Sequence, residues 1–197
     1  MKALATLLIV LGFAACSENE VTGPTTEPVA IAGRVIDFFS RATRRAAVIE
    51  FRTTSGSPVT VTTTDAGGQY SATLPRGGEY LISVNGTATG TVYVGGSGYR
   101  GDLITDDGRC VARYGTVTDV TGRPLANAIV VVGALQSVSA NDGWYSIEFG
   151  CPSNGTISGD TILMNASLPG YSTWSRVAGR EITGVQRFDV ALQKPQD

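Results

Sequence analysis

The side chains able to do chemistry in this sequence are few, and one type is missing altogether. The 197 residues contain no histidine, so no Ser-His-Asp or Cys-His nucleophile and no histidine-ligated zinc can be assembled. The three cysteines, Cys16, Cys110 and Cys151, form no CxxC pair, which removes the usual thiolate zinc sites. An enzyme would be left with carboxylates alone, as in a glycosidase pair, and no pair of Asp or Glu residues stands out. The sequence therefore reads as non-enzymatic, and no cofactor is expected.

Two weaker constellations remain. Asp102, Asp106 and Asp107, in DLITDDG, could share their oxygens with calcium, although the spacing is not that of an EF-hand loop. An ordinary acidic linker is the plainer reading. Trp144 and Trp174 could stack on sugar rings through their flat faces. Trp144 precedes Tyr145, a core candidate, so strand alternation turns the indole outward. Partial burial in a seam between domains is the alternative for both tryptophans.

Charge narrows the partners. The net charge is −2, and lysine occurs only at Lys2 and Lys194, so arginine supplies nearly all the positive charge. Residues 30–107 carry seven arginines against seven carboxylates, and residues 108–197 carry six arginines and Lys194 against seven. A near-neutral chain without a basic stripe is not a nucleic-acid binder. The one basic cluster, Arg41, Arg44 and Arg45, reads as a solvated loop.

Period-two alternation dominates the chain after residue 29. Ala47, Ile49 and Phe51 alternate with Val48, Glu50 and Arg52; Tyr70, Ala72 and Leu74 share a face, as do Tyr80, Ile82 and Val84. Phe188, Val190 and Leu192 alternate with Arg187, Asp189 and Ala191, which predicts a last strand with one wet face. Turn signals such as Ala66-Gly67-Gly68, Asn141-Asp142-Gly143 and Pro169-Gly170 separate the runs. No amphipathic helix is predicted. The pattern also occurs twice: Gly33-Arg-Val-Ile-Asp37 is echoed by Gly115-Thr-Val-Thr-Asp119, and TTDAGGQYS (63–71) by SANDGWYS (139–146). The expectation is all-β, two tandem antiparallel β-sandwiches over 30–107 and 108–197.

Ahead of them stands a single positive charge, Lys2, then ALATLLIVLGFAA and Cys16. An apolar block of that length is too short to span a bilayer and has the anatomy of an export signal. Ala14-Ala15-Cys16 resembles the lipobox of bacterial lipoprotein signal peptides, with Phe13 where leucine is commonest. That resemblance implies removal of residues 1–15, a lipidated Cys16, and 16–29 as a polar tether; Ser17 rather than Asp after the cysteine implies the outer membrane. An ordinary secretory signal is the alternative. Acyl chains on one residue suffice, because each buried methylene contributes about 0.8 kcal/mol and two chains already anchor stably.

The second copy carries a further resemblance. GTVTDVTGRPLANAIVVV (115–132), SANDGWYSI and Leu168–Tyr171 are similar in order and type to the carboxypeptidase regulatory-like domain, a transthyretin (prealbumin)-type, Ig-like sandwich. It implies a turn at Asn141-Asp142-Gly143, Tyr145 in the core and no catalytic position. The first copy matches less well, having FFSRATRRAAV where the second has its Gly-x-Pro-Leu turn. With Cys16 lipidated as implied, Cys110 and Cys151 remain, and an oxidising compartment permits their bridge; two buried thiols are the alternative. The expected role is an accessory or interaction module on the membrane, with an envelope protein or polysaccharide as partner. No Lys–Asn cross-link is expected, since the mature chain's one lysine is Lys194.

Overall fold

The alternating residues form fifteen strands, and no helix, in a computed structural model that describes residues 25–95, 100–106 and 108–195. Cys16, the tether residues 16–24 and Asp107 lie outside the described residues. The first half contributes β1 (Val29–Asp37), β2 (Val48–Arg52), β3 (Pro58–Thr63), β4 (Gln69–Leu74), β5 (Gly78–Val84), β6 (Thr87–Val94) and β7 (Leu103–Thr105). The second contributes β8 (Val111–Asp119), β9 (Ile129–Val132), β10 (Leu135–Val138), β11 (Trp144–Gly150), β12 (Thr156–Ser167), β13 (Trp174–Thr183), β14 (Val185–Phe188) and β15 (Val190–Leu192).

The strand pairing is duplicated along with the sequence. The pairs β1–β4, β1–β7, β2–β3, β2–β5 and β5–β6 recur as β8–β11, β8–β15, β9–β10, β9–β12 and β12–β13. Not all of these are antiparallel, as the sequence pattern suggested. β7 runs parallel to β1, and β14 and β15 run parallel to β8, because each half ends by laying its last strand beside its first in the same direction.

Each half has its own core. Ile31, Val35, Ile49, Phe51, Tyr80 and Ile82 are buried in the first, and Val117, Val130, Val132, Tyr145, Met164 and Val190 in the second. The halves are not strung on a linker, however. β14 hydrogen-bonds to β8 on one side and to β6 on the other, which fuses the halves into one long sheet of order β11-β8-β14-β6-β5-β2-β3. The smaller sheets, β4-β1-β7 and β10-β9-β12-β13, cover opposite faces of it. Alternation shows this directly: Val92 and Val94 of β6 enter the first core while Tyr93 turns toward Trp174. Along β8, Val111 and Val117 enter the second core while Ala112 and Tyr114 turn to Phe38 and Ile104 of the first half.

The expected wet face of the last strand is the main correction. Arg187 is 0% exposed and Asp189 only 7%. The alternation is present, but the polar side of β14 and β15 faces the other half rather than water. The same seam overturns the acidic-linker reading at its first residue, because Asp102 is 5% exposed.

Candidate functional site

The duplication extends to a third block, which the strand pairing makes evident. Arg100-Gly101-Asp102-Leu103 and Arg187-Phe188-Asp189-Val190 occupy equivalent positions beside β1 and β8. In each copy the strand glycine clears the returning chain: a Cβ on Gly33 would overlap the Gly101 backbone, and one on Gly115 the Phe188 carbonyl. The tyrosine after each turn then donates to that returning carbonyl, Tyr70 Oη to Gly101 O at 2.5 Å and Tyr145 Oη to Phe188 O. The aspartate accepts from the backbone of the residue after the strand glycine, Arg34 N to Asp102 Oδ1 at 2.9 Å and Thr116 N to Asp189 Oδ1 at 2.8 Å. In each, the arginine two residues earlier donates Nε to its aspartate, at 3.1 Å from Arg100 and 3.0 Å from Arg187.

The second copy of the motif docks on the first. Arg187 donates from its terminal nitrogens to the carbonyl oxygens of Asp102 and Arg100, the latter at 2.7 Å, and to Thr116 Oγ1 at 3.2 Å. Asp189 Oδ2 accepts from Tyr93 N of β6 at 2.9 Å. Gly90 is required where β14 crosses β6, since a side chain there would run into the Arg187 backbone. Burial pushes the Asp189 carboxyl well up from its ordinary value, with Glu79 adding to the push, against the pull of the Thr116 and Tyr93 N–H groups. Burial likewise lowers Arg187, opposed by the surrounding Tyr114 and Tyr70 and by Asp102. A buried ion pair with this many donors positions strands; its aspartate has little capacity left for a substrate.

Around this hub lie the residues singled out by sequence. Trp144 is half-buried at the seam, 5.5 Å from the Tyr114 ring, with the Arg100 guanidinium 4.2 Å over its face. Arg100 also reaches Asp142 at 3.0 Å. Trp174 sits elsewhere, on the other sheet of the second half, packed partly on that core. The two indoles are therefore not brought together. Trp174 instead lines a groove of about 360 Å³ with Ser175, Arg176, Asp189 and Ala191, closed from the first half by Glu79 and Tyr93. Arg176 pairs with Glu79 at 3.3 Å across it.

The two described calcium candidates, Asp102 and Asp106, are otherwise engaged. Asp102 Oδ2 accepts from Arg34 at 3.2 Å and Arg100 at 3.1 Å. Burial alone would raise its carboxyl, but these hydrogen bonds outweigh it and the net direction is downward. Asp106 accepts from Gly108 N at 2.7 Å and Cys110 N at 2.9 Å. Among the described residues no three His, Cys, Asp or Glu side chains are grouped as a metal would need. Cys110 and Cys151 are joined in a disulfide that closes a 41-residue separation. A further group carried no sequence signal: Arg113, 3% exposed, donates to the carbonyls of Ala112 and Gly184 at 2.8 and 3.0 Å and leaves its Nε without a partner. Burial lowers it to about 10. The basic loop holds as a surface feature, with Arg44 on Asp37 and Arg41 reaching Glu148 of the second half at 3.2 Å.

No protein-family model matches the chain, and no curated protein does. Among solved structures it is similar to the Bacillus anthracis TIE protein at 13% identity and a TM-score of 0.34, over 86% of this chain and 34% of that one. It is also similar to the shaft pilin SpaA of Lactobacillus rhamnosus GG (10% identity, TM-score 0.32, 88% of this chain and 99% of that). The minor pilin GBS52 of Streptococcus agalactiae is a third (12%, 0.31, 84% and 97%). The chain thus spans about a third of the TIE protein and nearly the full length of the two pilin chains.

Proposed function

We propose that the chain is a non-enzymatic, lipid-anchored envelope protein that holds a rigid β-scaffold at a bacterial membrane surface, the outer membrane, as an accessory or interaction module. The observation that carries the reading is the short apolar block ending in Ala14-Ala15-Cys16, followed by a polar stretch before β1. The engagement of Arg187, Asp189 and Asp102 in joining the halves is consistent with a scaffold role. Mass spectrometry of the mature amino terminus from the native host tests it. A diacylated or triacylated Cys16 is expected, and an unmodified start elsewhere overturns the anchoring.

A second reading, carbohydrate binding, is favoured by the groove beside Trp174. An indole wall, Tyr93 and the Glu79–Arg176 pair match the apolar face and hydroxyl rim of a sugar ring. Trp144 contributes less under this reading, because Arg100 already covers one of its faces. Retention on insoluble cell-wall polysaccharide is expected to fall at least about tenfold in Trp174→Ala, as loss of one stacking platform implies, and to persist in Trp144→Ala. Equal retention of wild type and Trp174→Ala removes the sugar reading.

A further inference from the structure

The outer face of the sheet β10-β9-β12-β13 differs from its counterpart in the first half. Register places Ile129 and Val131 of β9, Val138 of β10, Leu163 of β12 and Val177 of β13 on this face. Ile129, Val138, Leu163 and Val177 are 44%, 54%, 42% and 63% exposed. The positions between them are Gln136, Asn165, Ser167 and Ser175, so this patch carries no ionisable side chain; Glu181, opposite Ser158 of β12, stands farther along the same strand pair. In the first half the corresponding strand β2 alternates Val48, Glu50 and Arg52 outward, and Arg52 pairs with Glu50 at 2.9 Å. Where one copy places an ion pair in water, the other places Val131 and a glycine, Gly133.

We propose that this face docks against the same face of a second copy of the chain. Charge argues for that occupant. An uncharged, β-branched surface gives an acidic or basic partner nothing to pair with, and it would strip the hydration from that partner's charges. Two identical uncharged faces meet about a two-fold axis with no like charges opposed and no ion to desolvate. Their ridges of Val, Ile and Leu can interdigitate as sandwich sheets do, at about 10 Å separation. Area sets the strength. Three residue rows on four strands, at about 4.8 Å by about 7 Å each, give on the order of 300–400 Å² per copy. That is well short of the roughly 800 Å² per partner of a stable dimer, so the contact is weak and forms only when copies are concentrated.

The test is sedimentation equilibrium of the full chain in a density-matched non-ionic detergent, from about 10 µM to about 1 mM, the range where so small an interface should register. The expected result is a mass rising toward that of a dimer at the top of the range. Val177→Lys and Ser175→Arg, the latter at a position already polar and exposed, should each weaken association about tenfold or more. Val61→Lys, on the exposed face of the first half, should leave it unchanged. A wild-type chain that stays monomeric at 1 mM overturns the proposal, and so does association that all three variants share equally. Neither outcome depends on whether Cys16 is acylated.

Discussion

Asp102 and Asp189 are the same residue in two copies of one motif, yet their surroundings drive their acidities in opposite directions. Both cap the start of a parallel strand and both accept Nε from an arginine two positions earlier. Asp102 is served by Arg34 and Arg100, whose side chains are 50% and 37% exposed, and its carboxyl is held down. Asp189 is served by an arginine with no exposure, and burial drives it up. The difference follows from position in the assembly. The first motif lies where the second half lands on it, while the second motif is what lands. A duplicated sequence can thus supply both a surface and the element that covers it.

If that comparison is right, the largest effect comes from breaking the second motif alone. Arg187→Ala or Asp189→Ala leaves a buried partner unpaired and is expected to cost about 3–5 kcal/mol. Arg100→Ala removes a part-exposed arginine while Arg34 stays on Asp102, and loses the stacking on Trp144, together about 1 kcal/mol. Urea unfolding of the four proteins followed by fluorescence checks the ranking, and equal losses for Arg100→Ala and Arg187→Ala would erase the distinction.

The disulfide sharpens the same contrast, since it staples only the second half. Closing a 41-residue separation is worth on the order of 4 kcal/mol in the chain-entropy model. Because β14 is hydrogen-bonded into both halves, Cys110→Ser with Cys151→Ser should lower a single transition in which both halves melt together. Calorimetry that shows the first half melting unchanged would mean the long sheet does not couple them.

The smallest effect is a pH dependence. The folded carboxyl of Asp102 lies below its unfolded value, so its pairing stabilises fully above the ordinary carboxylate range and is lost as pH falls through the lowered value. The stability gap between wild type and Asp102→Asn should therefore shrink between about pH 5 and pH 3. A gap that stays constant over that range would show that Asp102 acts only as a neutral hydrogen-bond acceptor.

Much of the fold was legible because its causes are local. The pairs of echoed blocks locate β1 with β8 and β4 with β11, and period two picks out Ile49, Phe51, Tyr80 and Ile82 as buried. The expected turn at Asn141-Asp142-Gly143 is there, with Gly143 at φ 76°. The third echo, Arg-x-Asp followed by Leu or Val, was equally present in the sequence. It carries no signal of burial, because two charged residues in an alternating strand have the pattern of an exposed face. Trp144 and Trp174 each open a strand, yet they end on different sheets, and no spacing rule could have told them apart.

The sequence by itself determined which residues alternate, where the turns fall, that the unit is duplicated and which histidine-dependent chemistries are impossible. Those depend on the pleat, on backbone conformation and on residue type, all of which act within a few positions. Only the tertiary structure decided that the two copies share a sheet through β14, and that Arg187 and Asp189 sit in its seam. Burial depends on what packs against a face, and here the covering surface lies 85 or more residues away along the chain.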